Sequence, residues 1–468
     1  MKSLEIFDSA QKRKLSFSPI QPGKVKIYVC GPTVYDDAHL GHARSSIAFD
    51  LWRRLFIALG YEVTFVKNFT DIDDKIIKKS QEMQKTPEEI AQTYTQSYLQ
   101  DMEAINVMRA DIEPQATQNL EAMQKMIAKL LDSHHAYQTS NGDIYLDSSK
   151  DQLYGNLSHR NEELELRSRI QGQEKKSERD FALWKAYKGS EDVGYESPFG
   201  KGRPGWHIEC SAMIEEHLAY QNQDYAIDIH AGGADLLFPH HENEACQTRC
   251  ATHRELAKYW LHNGFVTING EKMSKSLGNS FFLKDILKYY HGEIIRNYLL
   301  GTHYRSNFDF SEADLLSSKK RLDKLYRLKK RLGSISAGSL DLKFQNHLLE
   351  ALSDDLNISL ALSIIENMIK EGNEALDQHP KDKAIKATIQ ANLDYIFKLL
   401  GIGGMDAIEY FQLGITQEQK DEICAKISLR TQAKKNKNFA LADSIRAELE
   451  KQGIALLDTA EGTIWEKI

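Results

Sequence analysis

The chain has 468 residues, of which 41% are hydrophobic and 27% are charged. This length exceeds what one hydrophobic core organises, so about three domains of a soluble globular protein are expected. The formal net charge of −7 does not indicate nucleic-acid binding, although a local basic face would suffice for it. No window approaches the ~20 apolar residues of a membrane span, and no apolar stretch follows Met1, so neither a membrane location nor secretion is expected. Five cysteines, an odd number at low density, favour a reducing compartment, and the cytoplasm is the expected location.

The first part of the chain predicts a βαβ unit. Val25–Cys30 is an apolar run typical of a buried strand, and Glu62–Val66 has the pattern of a second strand. Between them, apolar residues recur every four positions, at Ile47, Leu51, Leu55 and Leu59. Gly60 ends this helical pattern. Because strand, helix and strand follow one another closely, we expect a parallel sheet and an α/β fold of the Rossmann-like type.

The rest of the chain changes in composition twice. Residues 136–200 mix short strand-like pieces with Gly-, Ser- and Pro-rich stretches, which predicts an insertion between two halves of the sheet domain. Strand-like residues resume at Tyr225–His230. From about Leu315 the pattern is helical, and it ends in two strand-like pieces at Ile454–Leu457 and Thr463–Trp465.

Two short motifs could bind phosphate. His39-Leu-Gly-His42 lies between the first strand and its helix, where Gly41 lets the backbone approach a ligand and the helix N terminus favours an anion. In Lys272-Met-Ser-Lys-Ser276, Lys272, Lys275 and two hydroxyls could close over a polyphosphate. Taken alone, these motifs are also compatible with an incidental histidine pair and a solvated surface loop.

Together and in this order, the two motifs resemble the signatures of class I aminoacyl-tRNA synthetases. Longer segments narrow the resemblance to the cysteinyl-tRNA synthetase family; they are Cys30–Asp36, Asn68–Lys75, Gly202–Met213 and His230–Glu244. The similarity runs from about Ile20 to Ser311 and more loosely to the end of the chain. It implies a Rossmann-like parallel-sheet catalytic domain with an insertion, followed by an α-helical anticodon-binding region.

Domain boundaries are predicted on this basis. The catalytic domain is expected in two halves, 1–105 and 205–265, separated by a connective insertion at 106–204. A stem-contact region with the lysine motif is expected at 266–315. A helical tRNA-binding domain at 316–405 and a C-terminal anticodon-binding tail at 406–468 complete the chain.

The resemblance implies one zinc ion per chain, held by Cys30, Cys210, His240 and Glu244. Cys30 ends a predicted strand, where open α/β sheets place their ligands. His240 and Glu244 stand four residues apart, and we expect both on one face of a helix opened by Pro239. Zinc accepts a thiolate and would therefore distinguish cysteine from serine, whereas pocket shape separates near-isosteres by only ~1–3 kcal/mol. A separate editing domain is then unnecessary.

The amino-acid pocket is assigned by the same resemblance. Thr70 and Trp206 are expected to line it, and Asp235 is expected to pair with the ammonium group of the substrate. L-cysteine would react with ATP to form cysteinyl-adenylate and then pass to the 3′ end of tRNA(Cys).

The nucleotide site is assigned likewise. His39, Gly41 and His42 would hold the phosphates and the adenosine side of ATP, with Mg²⁺ accompanying the nucleotide. Lys275 would neutralise the departing pyrophosphate, and Lys272 would support the closed loop.

The C-terminal third is expected to bind tRNA. Asp354–Asn357 resembles a loop of the synthetase helical domain, and Lys437–Arg446 resembles the anticodon-binding tail, with Phe439 where the family more often has Trp. The basic run Lys319–Arg331 either contacts tRNA phosphates or is a solvated face. The family resemblance also suggests a monomer.

Alternatives remain at this point. A mycothiol-pathway ligase has a similar catalytic core but joins cysteine to an amino sugar, and it would leave the C-terminal third without a use. A non-catalytic zinc or nucleic-acid-binding module would leave the Lys272–Ser276 motif unexplained. Cys246 and Cys250, four residues apart, could form a rival metal pair, although buried or bystander thiols are preferred, and Cys424 is expected to be incidental.

Overall fold

The computed structural model describes residues 3–160, 175–189, 192–268, 271–272, 281–459 and 462–467. The strands are β1 Glu5–Asp8, β2 Arg13–Ser16, β3 Lys24–Val29, β4 Glu62–Lys67, β5 Ala136–Gln138, β6 Ile144–Leu146, β7 Phe181–Ala186, β8 Gly202–Pro204, β9 Tyr225–Gly233, β10 Glu255–Asn263, β11 Val266–Ile268, β12 Glu271–Lys272, β13 Phe308–Phe310, β14 Ile454–Thr459 and β15 Gly462–Lys467. The helices are α1 Leu40–Ala58, α2 Asp74–Met83, α3 Pro87–Ala104, α4 Leu120–Asp132, α5 Trp206–His217, α6 Glu242–Thr252, α7 Leu283–Ile286, α8 Gly292–Leu300, α9 Glu312–Leu332, α10 Leu342–Leu352, α11 Ile358–Gln378, α12 Lys383–Leu400, α13 Ala407–Phe411, α14 Gln417–Lys435 and α15 Phe439–Lys451.

The central sheet is parallel and has the strand order β10-β9-β3-β4. The chain passes from β3 through α1 to β4 on one side, and from β9 through α6 to β10 on the other. The strand order therefore reverses between β3 and β9, and open α/β sheets bind their ligands at the carboxyl ends of the strands at such a reversal. The predicted βαβ unit and the α/β fold class are confirmed.

The segment between β4 and β9 contains a smaller antiparallel sheet with the order β5-β6-β7-β8. Its apolar residues form one buried cluster with residues of α4, α5 and α6, and Trp184 is fully buried there. Cys246 and Cys250 lie in the same cluster, which supports their interpretation as buried thiols. Before this sheet, α3 and α4 are separated by residues 105–119, which include a short 3-10 helix at Ala116–Asn119.

The described chain forms two compact units. The first comprises Met1–Asp285, Leu299–Glu312 and Asn346–Ser363, and the second Ile286–Tyr298, Ala313–Gln345 and Ile364–Ile468, each over its described residues. No described helix is both long and apolar enough to cross a membrane.

The second unit is helical, as predicted, and its two predicted strand-like pieces pair as the antiparallel hairpin β14–β15. The glycine-rich linker Gly401–Gly404 between α12 and α13 is fixed by hydrogen bonds. Glu293 accepts from the backbone N–H of Gly403 and Gly404 at 3.1 and 2.8 Å, and Lys329 donates to the carbonyl of Gly403 at 2.8 Å. The linker is therefore part of the packed structure.

Candidate functional site

The candidate site begins where β3 ends. The N–H of Cys30 donates to the carbonyl of Ala231 at 3.0 Å, which aligns the ends of β3 and β9. The N–H of Gly31 donates to Oδ1 of Asn68 at 2.8 Å. A Cβ at residue 31 would overlap the carbonyl oxygen of Asn68, so only glycine allows this close approach. Thr70, two residues after Asn68, is also buried.

The four predicted metal ligands come together at this point. Sγ of Cys30 lies 3.8 Å from Sγ of Cys210 and 3.7 Å from Oε1 of Glu244. Nε2 of His240 lies 3.6 Å from Sγ of Cys210 and 2.8 Å from Oε1 of Glu244. Two thiols, an imidazole and a carboxylate thus converge from β3, α5 and the segment that leads into α6.

The local backbone agrees with the prediction for Pro239. Within Leu237–His241 the non-helical φ and ψ lie at Phe238, and helical backbone continues from Pro239 into α6, which begins at Glu242. His240 and Glu244 stand four residues apart on this continuous stretch and contact each other. The kink at Phe238 therefore sets the direction from which both side chains enter the cluster.

Burial and mutual contact set the protonation of the cluster. Burial, together with Cys210 and Glu244, raises the pKa of the Cys30 thiol well above its usual value, whereas the hydrogen bond with Cys30 lowers the pKa of the Cys210 thiol to about 6. Burial alone would raise the pKa of Glu244, but His240 and His230 outweigh it and hold that pKa well below its usual range. Burial alone would lower the pKa of His240, but Glu244 reverses this effect and raises the pKa to about 10. The cluster therefore favours a thiolate and a carboxylate beside positive charge.

The donor set fits zinc. Zinc binds sulfur at about 2.3 Å and nitrogen or oxygen at about 2.0–2.2 Å, so the donors of a tetrahedral site lie roughly 3–4 Å apart. All four donor atoms lie within 4.8 Å of one another. The combination of two thiols, one imidazole and one carboxylate is also a ligand set that zinc accepts.

A second group of possible ligands, which was not predicted from the sequence, overlaps the first. It consists of Cys30, His230, His241 and Glu244. Nε2 of His241 lies 3.3 Å from Sγ of Cys30, and Nε2 of His230 lies 2.6 Å from Oε2 of Glu244. Glu244 thus directs Oε1 toward the predicted group and Oε2 toward His230.

Two further histidines contact possible ligands through the ring nitrogen that does not face the thiols. Nδ1 of His207 lies 2.9 Å from Nδ1 of His240, and Nε2 of His262 lies 2.8 Å from Nδ1 of His241. Burial lowers the pKa of both His207 and His262, to about 3 for His262. Neutral imidazoles that contact a ligand ring fix which of its nitrogens carries the proton. The sequence did contain a signal, because His207, His230 and His241 lie within the segments that carry the family resemblance.

The predicted pocket residues are placed as follows. The Trp206 ring stacks on the His240 ring with centroids 4.1 Å apart, and 39% of Trp206 is exposed. Asp235 lies in the exposed turn after β9. Trp206 thus borders the cluster, the N–H of Thr70 donates to the carbonyl of Pro32 at 3.1 Å in the turn after β3, and Asp235 is exposed to solvent.

The histidine motif lies at the start of α1. The rings of His39 and His42 stack with centroids 3.7 Å apart, and each ring accepts a hydrogen bond from the backbone of the other residue, which caps the helix. Lys272 is paired through its backbone in β12, and its side chain lies outside what the structure describes. Lys275 and the rest of its motif at 273–280 lie outside the described residues.

The fold and the site together define a class I tRNA synthetase. The family profile described as "tRNA synthetases class I (C) catalytic domain" matches residues 16–320, and the profile described as "DALR domain" matches residues 347–403. The chain belongs to the cysteine–tRNA ligase family. It is 64% identical over 464 residues to a cysteine–tRNA ligase of a Nitratiruptor species, covering 99% of this chain and 100% of that protein. A cysteine–tRNA ligase of Helicobacter hepaticus is 61% identical, with coverage of 99% and 100%.

Solved structures show the same fold. Methionyl-tRNA synthetase of Mycobacterium tuberculosis in complex with methionyl-adenylate superposes with a TM-score of 0.61 at 15% identity, covering 81% of this chain and 92% of that one. The predicted Rossmann-like catalytic domain followed by a helical region is confirmed. Because the ligases match over their whole length, C-terminal third included, the amino-sugar and non-catalytic alternatives are not favoured.

Proposed function

We propose that the protein joins L-cysteine to tRNA(Cys) in two steps, with ATP consumed to form cysteinyl-adenylate. One observation carries the assignment of cysteine: a buried cluster of two thiols, an imidazole and a carboxylate at the reversal point of the sheet. Family membership supports the same activity. The five cysteines, all free, are consistent with action in the cytoplasm, and we propose that the enzyme acts there as a monomer.

Cys30, Cys210, His240 and Glu244 would hold one zinc ion. A zinc ion bound there lowers the pKa of a thiol that reaches it, which a serine hydroxyl cannot match near neutral pH. His230 directs Nε2 at Oε2 of Glu244 at 2.6 Å, so it would leave Oε1 for the metal. We prefer this ligand group to the one with His241 because it leaves neither thiol without a role.

The amino-acid pocket would lie beside this cluster. Trp206 packs on the imidazole of His240 and would shield the thiol of the substrate from water. Thr70 would form the opposite wall. Asp235 at the rim would attract the ammonium group of cysteine, which must remain outside the buried cluster.

ATP would bind along the start of α1. The helix N terminus, the stacked rings of His39 and His42 and the absence of a side chain at Gly41 suit phosphate and adenosine. Lys275 would neutralise the departing pyrophosphate and Lys272 would assist it, while Mg²⁺ accompanies the nucleotide.

tRNA would extend over the C-terminal part of the chain. Its stem would contact residues 266–315, and a helical tRNA-binding domain at 316–405 and an anticodon-binding tail at 406–468 would follow. The basic helix α9 contributes less charge than its sequence indicates, because many of its cations have partners inside the second unit. These pairs are Lys319–Asp323, Arg321–Glu366, Lys330–Glu466 and Arg331–Asp377. Lys320 and Lys324 are exposed on this helix, and we propose that they face the phosphates. Phe439 is 62% exposed on α15 and would stack on an anticodon base.

The test is cysteine-dependent exchange of pyrophosphate into ATP, with and without a zinc chelator, followed by charging of total tRNA. The proposal expects exchange with cysteine and not with serine, loss of exchange after metal removal, and recovery with added zinc. Exchange that persists in metal-free protein would contradict the proposed thiol recognition, and exchange without tRNA charging would contradict the acceptor.

A further inference from the structure

The segment that follows the lysine motif is bound to the turn that precedes the histidine motif. The N–H of Leu40 donates to the carbonyl of Phe281 at 3.2 Å, and the N–H of Leu283 donates to the carbonyl of Ala38 at 2.8 Å. His39 and Phe282 form the antiparallel bridge between these two bonds. The two segments are far apart in sequence, so this short pairing fixes the backbone on both sides of His39.

An ion pair lies beside this backbone pairing. Nζ of Lys284 donates to Oδ2 of Asp37 at 2.5 Å, and Oγ of Ser97 on α3 donates to Oδ1 at 2.7 Å. Asp37 is buried, at 9% exposed, whereas the side chain of Lys284 is 46% exposed. Both carboxylate oxygens of Asp37 are therefore occupied, and the ammonium group reaches in from the surface.

A second carboxyl group is influenced by the same charges. Asp101 on α3 is 6% exposed, and its Oδ2 has no hydrogen-bond partner among the described residues. Burial and then the neighbouring charge of Asp37 raise the pKa of Asp101 to about 6, and Lys284 opposes this rise. Lys284 therefore offsets the negative charge of Asp101 and of Asp37, which lies two residues before the histidine motif.

We propose that Lys284 is a positioning residue for the nucleotide site, because its contact with Asp37 holds the turn that carries His39 and His42. This inference rests on the proposed use of those histidines for ATP. Loss of the ammonium group has two consequences. The turn loses its side-chain anchor, and the uncompensated Asp37 carboxylate repels the polyphosphate of ATP. Both consequences weaken the binding of ATP, while the cysteine pocket, built from β3, β9 and α5, is unaffected.

The experiment compares Lys284→Met, Lys284→Arg and Asp37→Asn with the wild-type protein. The KM values for ATP and cysteine are measured by pyrophosphate exchange, and the binding of Mg²⁺–ATP alone is measured by calorimetry. We expect Lys284→Met to raise the KM for ATP and the Kd for Mg²⁺–ATP at least fivefold and to change the KM for cysteine less than twofold. Lys284→Arg keeps a cation and should remain within twofold of wild type for both substrates.

The double variant Asp37→Asn/Lys284→Met tests whether the two residues act as a pair. We expect it to be no worse than Lys284→Met alone, because the amide no longer repels phosphate. The matched control is Lys85→Met, which removes one positive charge from an exposed turn after α2 and should leave all values unchanged.

The outcomes separate this inference from the proposed function. A wild-type protein that binds Mg²⁺–ATP but exchanges no pyrophosphate with cysteine would refute the proposed function, and the Kd comparison would still test Lys284. An unchanged affinity for ATP in Lys284→Met would overturn the inference while leaving the proposed function intact. Equal rises in the KM for ATP and cysteine with a lower melting temperature would also overturn it, because they indicate a general structural role.

Discussion

Oε1 of Glu244 lies 2.8 Å from Nε2 of His240, four residues earlier in the chain. The backbone is kinked at Phe238 and helical from Pro239 into α6, and side chains four residues apart on a helix are neighbours. His241, the next residue, is also buried, and its Nε2 lies 3.3 Å from Sγ of Cys30. The segment therefore offers two neighbouring imidazoles to one set of thiols, and only one of them belongs to the proposed zinc site.

Paired substitutions distinguish these two imidazoles. We expect His240→Gln to lose stoichiometric zinc, because it removes a proposed ligand. His241→Gln should retain one zinc ion per chain with affinity reduced by about tenfold to a hundredfold, as is usual for a residue that only orients ligands. Metal content after dialysis against a graded chelator is the measurement. The reverse order would assign the site to the group that contains His230 and His241.

Replacement of Cys210 by serine should abolish zinc binding and the preference for cysteine over serine. A hydroxyl of similar size cannot supply a thiolate, and the Cys210 thiol is the one whose pKa is lowered, to about 6. Metal analysis and exchange assays with each amino acid provide the readout. Cys424→Ser is the matched control, since Cys424 is an exposed free thiol, and it should bind zinc normally. Retained selectivity in Cys210→Ser would exclude thiol recognition at this cluster.

Asp101→Asn should stabilise the protein near neutral pH. Burial, followed by the charge of Asp37, raises the pKa of Asp101 from 3.8 to about 6. The folded state therefore favours the protonated carboxyl group; this contribution is complete below about pH 4 and is lost as the pH rises through about 6. At pH 7.5 the amide avoids the cost of a buried charge, with an expected gain on the order of 1–2 kcal/mol.

Thermal unfolding at pH 7.5 and pH 4.5 measures the effect of Asp101→Asn. The melting temperature of the variant should exceed that of the wild type at pH 7.5, and the difference should shrink at pH 4.5. Asp132→Asn is a suitable control, because Asp132 lies at the solvent-accessible end of α4. A difference independent of pH would show that ionisation of Asp101 does not cause it.

Phe439→Ala should impair tRNA charging without affecting adenylate formation. The ring is exposed on α15, and a base stacked on an aromatic side chain gains about 1–3 kcal/mol. We therefore expect the KM for tRNA to rise between fivefold and a hundredfold, with pyrophosphate exchange unchanged. Leu429→Ala, at another exposed apolar position of the tail, is the control. Equal effects of both substitutions would indicate a damaged tail and no specific stacking role for Phe439.

Helices and strands whose buried face is visible in the local apolar periodicity were predicted from the sequence. The strands around α1 were predicted because apolar periodicity reflects burial directly, and the two strand-like pieces near the C terminus were predicted for the same reason, although their pairing was not. Cys30 was placed correctly because the end of a parallel strand is a defined position in the fold.

Features that depend on distant contacts could not be predicted. His262 comes from β10, outside the segments that carry the family resemblance, and only the packed fold places its ring beside that of His241. The charges of α9 were overestimated as a free basic face, since the partners of Arg321 and Lys330 lie 45 and 136 positions away in sequence, at Glu366 and Glu466.

The close approach of Gly31 to the Asn68 carbonyl restricts which residues can occupy position 31. Any side chain at this position would occupy the space of the Asn68 carbonyl, so β3 and β4 would have to separate before a larger residue fits. Such a separation would carry the neighbouring Cys30 thiol away from its partners. Substitution at residue 31 is thus restricted by the position of the thiol one residue away, and the same tight fit holds that thiol beside Cys210 and Glu244.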